Sequence, residues 1–323
     1  AEMLTAHIIA HSHCDPGWLS TFENYYTSDV NRIISAATDQ LLGDPNKRFV
    51  WAEISFFSRW YEDQSLERKR QFRDLVHSGR WEFVGGGWAQ NDEAASDLML
   101  VVNQMTTGHQ YLLENFGVQP RIGWQIDPFG HSSITPSLFK KMGFDALVIN
   151  RIHHQKKGEY KAGRLMEFMW RGASAGGDTD MFTHVLHTHY SAPKGFDWEE
   201  GAPQINNNNV ESRANMLTNE LKRRRNSYKS PHLLVPFGDD FKFKNAANQF
   251  QNMEALIKHV NANSQRFGVT LRFSTLSEYF RSVHDWAVEK GEDFPLFMGD
   301  FFPYADNEDS YWTGYYTTRP FLK

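Results

Sequence analysis

Cysteine is all but missing: Cys14 stands alone among 323 residues. An intrachain disulfide is therefore excluded, and cysteine usage gives no reading of the redox compartment. No Asn-x-Ser/Thr sequon occurs, so N-glycosylation of the chain has no acceptor site. No apolar run approaches the roughly 18 residues of a membrane-crossing helix. A long basic run is lacking too. Lys+Arg number 34 against 39 Asp+Glu, for a formal net charge of −5. The stretch "KRRR" at 222–225 is short and fits a solvated helix face, which argues against nucleic acid as a partner. No leader segment is recognisable, and the chain starts almost directly on a strand, as a trimmed or excised piece would.

Aromatic side chains are plentiful, at 15% with 25 Phe and 10 Trp, beside 40% hydrophobic and 23% charged residues. That composition belongs to a folded globular chain. It fits equally an aromatic core and a pocket walled by rings. Residues 7–13 ("HIIAHSH") read as a short buried strand that opens into "CDPGW". Residues 28–48 have apolar positions at helical spacing, an acidic start and a Gly-Asp-Pro stop. "FVWAEISFFSRWY" at 49–61 reads as a second strand, 67–80 as a helix, and "WEFVGGGWAQND" at 81–92 as a third strand. A long helix (95–117), a strand with its loop (121–133), a short helix and a fifth strand (145–154) follow. Alternating strands and helices predict an α/β fold with parallel strands. Farther on, residues 195–215 read as polar loop and 211–228 as a helix. "HLLVPFGDDFKF" is another apolar run with a polar end, and 295–323 form an aromatic-rich extension of a single domain.

Polar clusters recur at the predicted strand C-termini: His13/Asp15, then Trp88/Asn91/Asp92, then Asp127, then Arg151/His153. In parallel α/β folds those ends converge on one site. His13 and Asp15 lie two apart, so in an extended segment they point the same way. An imidazole with carboxylates and no thiolate suits zinc or a similar divalent ion. As a bare spacing this is weak, and a polar strand end explains it as well; His11 could instead pair with His13. Asp127, between Trp124 and Phe129 and before Pro128, could ligate a metal, attack a substrate, or merely open a turn. Asp239 and Asp240 follow an apolar run and Gly238. Adjacent carboxylates hold one pKa high, as a general acid needs, although Gly-Asp-Asp is more often a solvated turn. Together these features point to hydrolysis of a polar substrate, with carboxylates from separate strand ends serving glycoside cleavage.

Five ordered motifs, "HSHCDPGW", "GGWAQNDEA", "IDPFGHS", "GDDFKF" and "YWTGYYTTRP", resemble the catalytic domain of class II α-mannosidases, glycoside hydrolase family 38, over residues 8–323. The resemblance implies a distorted parallel (β/α)7 barrel of the glycoside hydrolase/deacetylase kind, one zinc ion and retention of anomeric configuration. It implies that His13, Asp15 and Asp127 ligate zinc, that Asp127 is also the nucleophile, and that Asp240 is the general acid/base. Trp18, Phe129, Arg151, Tyr190, Asp239 and Trp312 would line the sugar site, with Arg151 keeping Asp127 ionised. His11 would be structural, and Cys14 would point away from the metal. The substrate would be a mannose-bearing oligosaccharide or N-glycan in the lysosome, vacuole or Golgi lumen.

Two departures accompany this. The family's fourth zinc ligand is a histidine in a later helical segment, beyond Lys323, so the chain is expected to be an N-terminal piece that works with the C-terminal remainder of the same enzyme. The loop "HTHYSAPKGFDWEEG" is shorter than the cysteine-bearing loop of the Golgi enzymes and resembles the lysosomal branch, whereas "HSHCDPGW" and "GDDFKF" resemble the Golgi branch. Two other functions stay in view: a metal-dependent amidohydrolase or deacetylase using His11 and His13 with Asp127 as base, and an inactive glycan-binding domain.

Overall fold

The computed structural model describes residues 2–172 and 177–322. Ten strands run in chain order as β1 (Leu4–Ala10), β2 (Phe49–Trp51), β3 (Trp81–Phe83), β4 (Ile122–Gln125), β5 (Ala146–Ile149), β6 (Glu167–Arg171), β7 (Met181–Val185), β8 (His232–Phe237), β9 (Val269–Phe273) and β10 (Leu296–Met298). The helices are α1 (Phe22–Tyr25), α2 (Asn31–Gly43), α3 (Ile54–Glu62), α4 (Leu66–His77), α5 (Leu98–Phe116), α6 (Thr135–Lys141), α7 (His154–Gly163), α8 (Val210–Arg225), α9 (Ala246–Ala262), α10 (Ser264–Phe267) and α11 (Leu276–Lys290). Local chemistry fixes several ends. Asp97 caps α5 by accepting from the Met99 and Leu100 amides, and Gly117 closes it in the left-handed conformation. Thr275 and Glu278 form a capping box on α11.

The α/β class is as expected, but the barrel is not. Among the described residues the strands form three sheets, ordered β8-β1-β9, β10-β6-β7-β5-β4 and β2-β3, and no closed hydrogen-bonded barrel. Pairing is parallel except between β6 and β7, which run antiparallel. The sheets adjoin through single contacts: a bridge between His11 and Val50, Gly85 N–H to the Ile122 carbonyl at 2.8 Å, and Ala192 N–H to the Gly238 carbonyl at 3.1 Å. The strands are too short, three residues in β2 and β3, for their ladders to merge. The second strand also needs correcting, because only Phe49–Trp51 is extended and "ISFFSRWYE" is α3. Seven of its nine residues are buried; Ser55, Ser58, Arg59 and Glu62 do recur at helical spacing, a signal that the run of aromatic residues outweighed in the strand reading. Residues 195–209 are free of helix and strand, as the polar loop predicts, and α8 begins at Val210.

Alternation along β1 separates two cores. Ala6, Ile8 and Ala10 join the large cluster between strands and helices. Ile9 joins a second cluster with Val50, Val84, Trp124, Val148 and Leu234 on the inner side of the strands. His7 and His11 are in step with Ile9 and fully buried, and the same period carries His13 to the inner side, just past the strand end.

Candidate active site

Each chemistry-bearing residue follows the C-terminal end of a strand: His13 after β1, Glu53 after β2, Gln90 after β3, Asp127 after β4, Arg151 after β5, Tyr190 after β7 and Asp240 after β8. The β1–β8 ladder runs on past both strands. His11 N–H meets the Phe237 carbonyl at 3.0 Å, His13 N–H the Asp239 carbonyl at 3.1 Å, and Phe241 N–H the His13 carbonyl at 2.9 Å. His13 and Asp240 thus face each other as a backbone bridge. Gly238 permits the approach, since a Cβ there would collide with the His11 carbonyl.

His13 is 2% exposed. Its Nε2 lies 3.2 Å from Asp15 Oδ1 and 3.5 Å from Asp127 Oδ2. One ligand atom from each of the three residues lies within 4.8 Å of the others. Neither imidazole nitrogen has a hydrogen-bond partner despite its burial, an arrangement folded chains rarely tolerate. An imidazole and two carboxylates fanned around a common point suit a divalent ion of the zinc class. The residues present therefore fit a metal. Burial works against a charge on His13, but Asp127 and Asp15, then Glu53, outweigh it and hold the imidazole well above its ordinary value.

Asp127 is held from several sides. Its backbone N–H donates to Gln90 Oε1 at 3.0 Å. Arg151 donates from Nε to Oδ1 at 2.9 Å, and Nη2 meets the same oxygen. Burial pushes this carboxyl up, but His13 and then Arg151 pull it down to about 2. Arg151 sits in a box of rings, 5.0 Å from Trp312, 5.3 Å from Phe129, 5.8 Å from Tyr304 and 5.9 Å from Tyr190, so its charge is spent on Asp127 and on aromatic faces rather than on water.

The Tyr190 hydroxyl stands between the two carboxyls, 2.9 Å from Asp240 Oδ1 and 3.3 Å from Asp127 Oδ1. Burial and then the charges of Asp127 and Asp240 keep it a protonated phenol. Asp240 is exposed at the strand end. Partial desolvation, with Asp239 and Asp127 adding to it, raises its carboxyl against the opposing pull of His13 and Tyr190. Asp239 turns back to accept the Asp240 amide at 2.8 Å. Behind the site, the Lys157 ammonium donates to the Asn150 carbonyl (2.8 Å), Asn150 Oδ1 (3.1 Å) and the Thr188 carbonyl (3.0 Å). It ties together the segments that carry Arg151 and Tyr190.

The fold thus brings together His13, Asp15, Asp127, Asp240, Asp239, Arg151, Tyr190, Phe129 and Trp312. Trp18 is 72% exposed on the turn after Asp15. His11 is outside the cluster: its Nε2 meets the Tyr190 carbonyl at 2.7 Å, and its ring packs edge-on to Trp124. Cys14 is fully buried in the outer core. Tyr304, Gln90, Lys157 and Glu53 were not singled out from sequence. A lone glutamate inside an apolar run was the one available signal for Glu53. A cleft of about 110 Å³ is lined by His13, Asp15, Asn91, Asp92, Asp127 and Phe129, among others. A larger cavity, about 830 Å³, lies beneath α11 at the opposite strand ends, walled by Phe182, Phe280 and Phe294, far from these groups.

Residues 3–307 match the family model described as the glycosyl hydrolases family 38 N-terminal domain. The lysosomal alpha-mannosidase of Dictyostelium discoideum is 40% identical over 341 residues, spanning 100% of this chain and 33% of that protein. Alpha-mannosidase 2x of Mus musculus is 38% identical, spanning 100% of this chain and 31% of its own. The chain therefore spans about a third of the length of these relatives. Among solved structures, an alpha-mannosidase from Enterococcus faecalis V583 superposes with a TM-score of 0.69 at 17% identity, over 92% of this chain and 31% of that one; it bears on the fold alone. With a match across nearly its whole length, the chain belongs to glycosyl hydrolases family 38, as the N-terminal domain of that family.

Proposed function

We propose that this chain carries the catalytic groups of a retaining α-mannosidase that removes terminal α-linked mannose from glycans. The observation that carries the reading is the single Tyr190 hydroxyl touching both Asp127 and Asp240. Nearest oxygens bridged by one hydroxyl fit the retaining spacing of about 5–5.5 Å better than the about 6.5–9.5 Å that admits a water for inversion. Asp127, ionised beside Arg151 and His13, attacks the anomeric carbon and forms a covalent mannosyl-aspartate. Asp240, protonated at the start, gives its proton to the departing glycosidic oxygen and then takes one from the water that releases the sugar. Tyr190 keeps the two carboxyls at a fixed separation. Phe129 and Trp312 offer apolar faces for a sugar ring, with Trp18 and Asp239 at the rim. A zinc ion held by His13, Asp15 and Asp127 supplies, when bound, positive charge that orients sugar hydroxyls.

Residues 1–323 act in this reading as one catalytic unit, alongside whatever the longer relatives hold in common with the full protein. The relatives' names include a lysosomal alpha-mannosidase, which favours a lysosomal setting; a Golgi-lumen setting and an N-glycan substrate follow from the family resemblance alone. A deacetylase using His11 with His13 has less support, because the side chains whose ligand atoms converge are His13, Asp15 and Asp127, without His11. The test is the full-length protein on 4-nitrophenyl α-mannoside and on an N-acetylated sugar, with proton NMR of the first sugar formed. We expect mannoside cleavage, no acetate, and α-mannose before mutarotation. Acetate release would establish the deacetylase instead, and β-mannose appearing first would remove Asp127 from the nucleophile's role. An inactive glycan-binding domain would bind mannosides without cleaving them, and Asp127→Ala would leave that binding intact.

A further inference from the structure

Glu53 is 1% exposed, yet neither of its carboxylate oxygens has a hydrogen-bond partner. It occupies the N-cap position of α3, which Ser, Thr, Asp or Asn usually fills, and its side chain caps no helical amide. The side chain has turned inward instead. Its backbone is pinned from both sides, the Glu53 carbonyl accepting from Trp51 Nε1 at 2.9 Å and from the Phe57 amide at 3.3 Å. The inward carboxylate faces one group without a partner of its own, His13 Nδ1, at 3.6 Å from Oε1.

A neutral imidazole carries one ring proton, and the nitrogen that carries it cannot ligate a metal. Asp15 and Asp127 both face Nε2. Left to themselves they would draw the proton to Nε2, the tautomer unable to bind. A carboxylate on the Nδ1 side is the counterweight. We propose that Glu53 is a positioning residue for metal capture, taking the Nδ1–H of His13 and so presenting the Nε2 lone pair to the space between Asp15 and Asp127. This rests on the metal reading above. At 3.6 Å the pair is just beyond hydrogen-bond length, and metal capture requires it to close.

The experiment is zinc titration of the metal-free full-length protein against a chromophoric chelator, for the parent, Glu53→Gln and Glu53→Asp. The Gln change keeps the shape and removes the charge. We expect its zinc affinity to fall about 10–100-fold, with the unfolding midpoint of the metal-free protein in place. Cobalt-loaded parent and variant should also differ in their visible spectra, because the basicity of the His13 ligand changes. The Asp variant retracts the carboxylate and should fall between the two; it decides by the same reading if the Gln protein does not fold. Zinc affinity equal to the parent's would overturn the proposal, as would a loss of metal-free stability with affinity unchanged, which is what a packing role gives. If the parent itself binds no zinc, the metal reading fails along with this one.

Discussion

Asp239 and Asp240 are adjacent, chemically identical and differently placed, and the pair gives the sharpest residue-scale test. Asp240 must be protonated to act as an acid, so activity falls as pH rises through its pKa. Asp239 is one of the charges that raise that pKa. Asp239→Asn keeps the Oδ1 that accepts the Asp240 amide and removes the charge. The alkaline limb of kcat/KM should therefore move to lower pH, and a limb that stays put would mean that the two do not communicate. Replacing Asp240 by Asn should cost about 10²–10⁴-fold on an unactivated mannoside and much less on 2,4-dinitrophenyl mannoside, whose leaving group needs no proton. Equal losses on both would deny Asp240 the acid's role. What was legible in the sequence came through the ordered motifs that carry His13, Asp15 and Asp127, because the His-x-Asp spacing by itself is weak. Glu53 was not legible, since a single acidic residue among apolar neighbours carries no period, and its meaning appears only when His13 is set opposite it.

At the scale of elements, the strand ends rather than the strands do the positioning. Lys157, in α7, reaches back to Asn150 after β5 and to Thr188 after β7. Lys157→Met leaves those oxygens without their donor. It should lower stability by about 2–3 kcal/mol, read in a denaturant titration, and should lower kcat as the segments bearing Arg151 and Tyr190 loosen. Unchanged kcat with the stability loss would confine Lys157 to packing. Gly238→Ala should be worse for the site than its one added methyl implies, because the strain falls on the His11 carbonyl in the ladder that seats His13. An element such as α2 was readable by period, whereas in α3 the helical spacing of Ser55, Ser58, Arg59 and Glu62 was masked by the Phe, Trp and Tyr between them. The β6 and β10 strands were missed for a different reason. β10 has three residues and owes its extension to β6, distant in sequence, with which it pairs from Leu296 to Met298.

For the whole molecule, the α/β alternation could be read from the chain except at α3, β6 and β10, but how the sheets close could not, because closure depends on which strand ends meet across the molecule. A metal would add a tie of its own between the ends of β1 and β4. Its removal by a chelator should abolish mannoside hydrolysis and lower the unfolding midpoint, with both restored by zinc. Zinc at a hundred times its dissociation constant should stabilise by about 2.7 kcal/mol. A midpoint indifferent to zinc would show that no metal bridges these ends.

The bridge between His13 and Asp240 separates what can drift from what cannot. Side chains at the two positions can be exchanged one at a time, and the chemistry altered with them. The spacing between them is written in peptide units, so no substitution can tune it by a fraction of an ångström. One residue inserted between Phe237 and Asp239 would shift the frame, putting Asp239 opposite His13 and displacing Asp240 by one position. The histidine and the acid are thus inherited as a single measured interval.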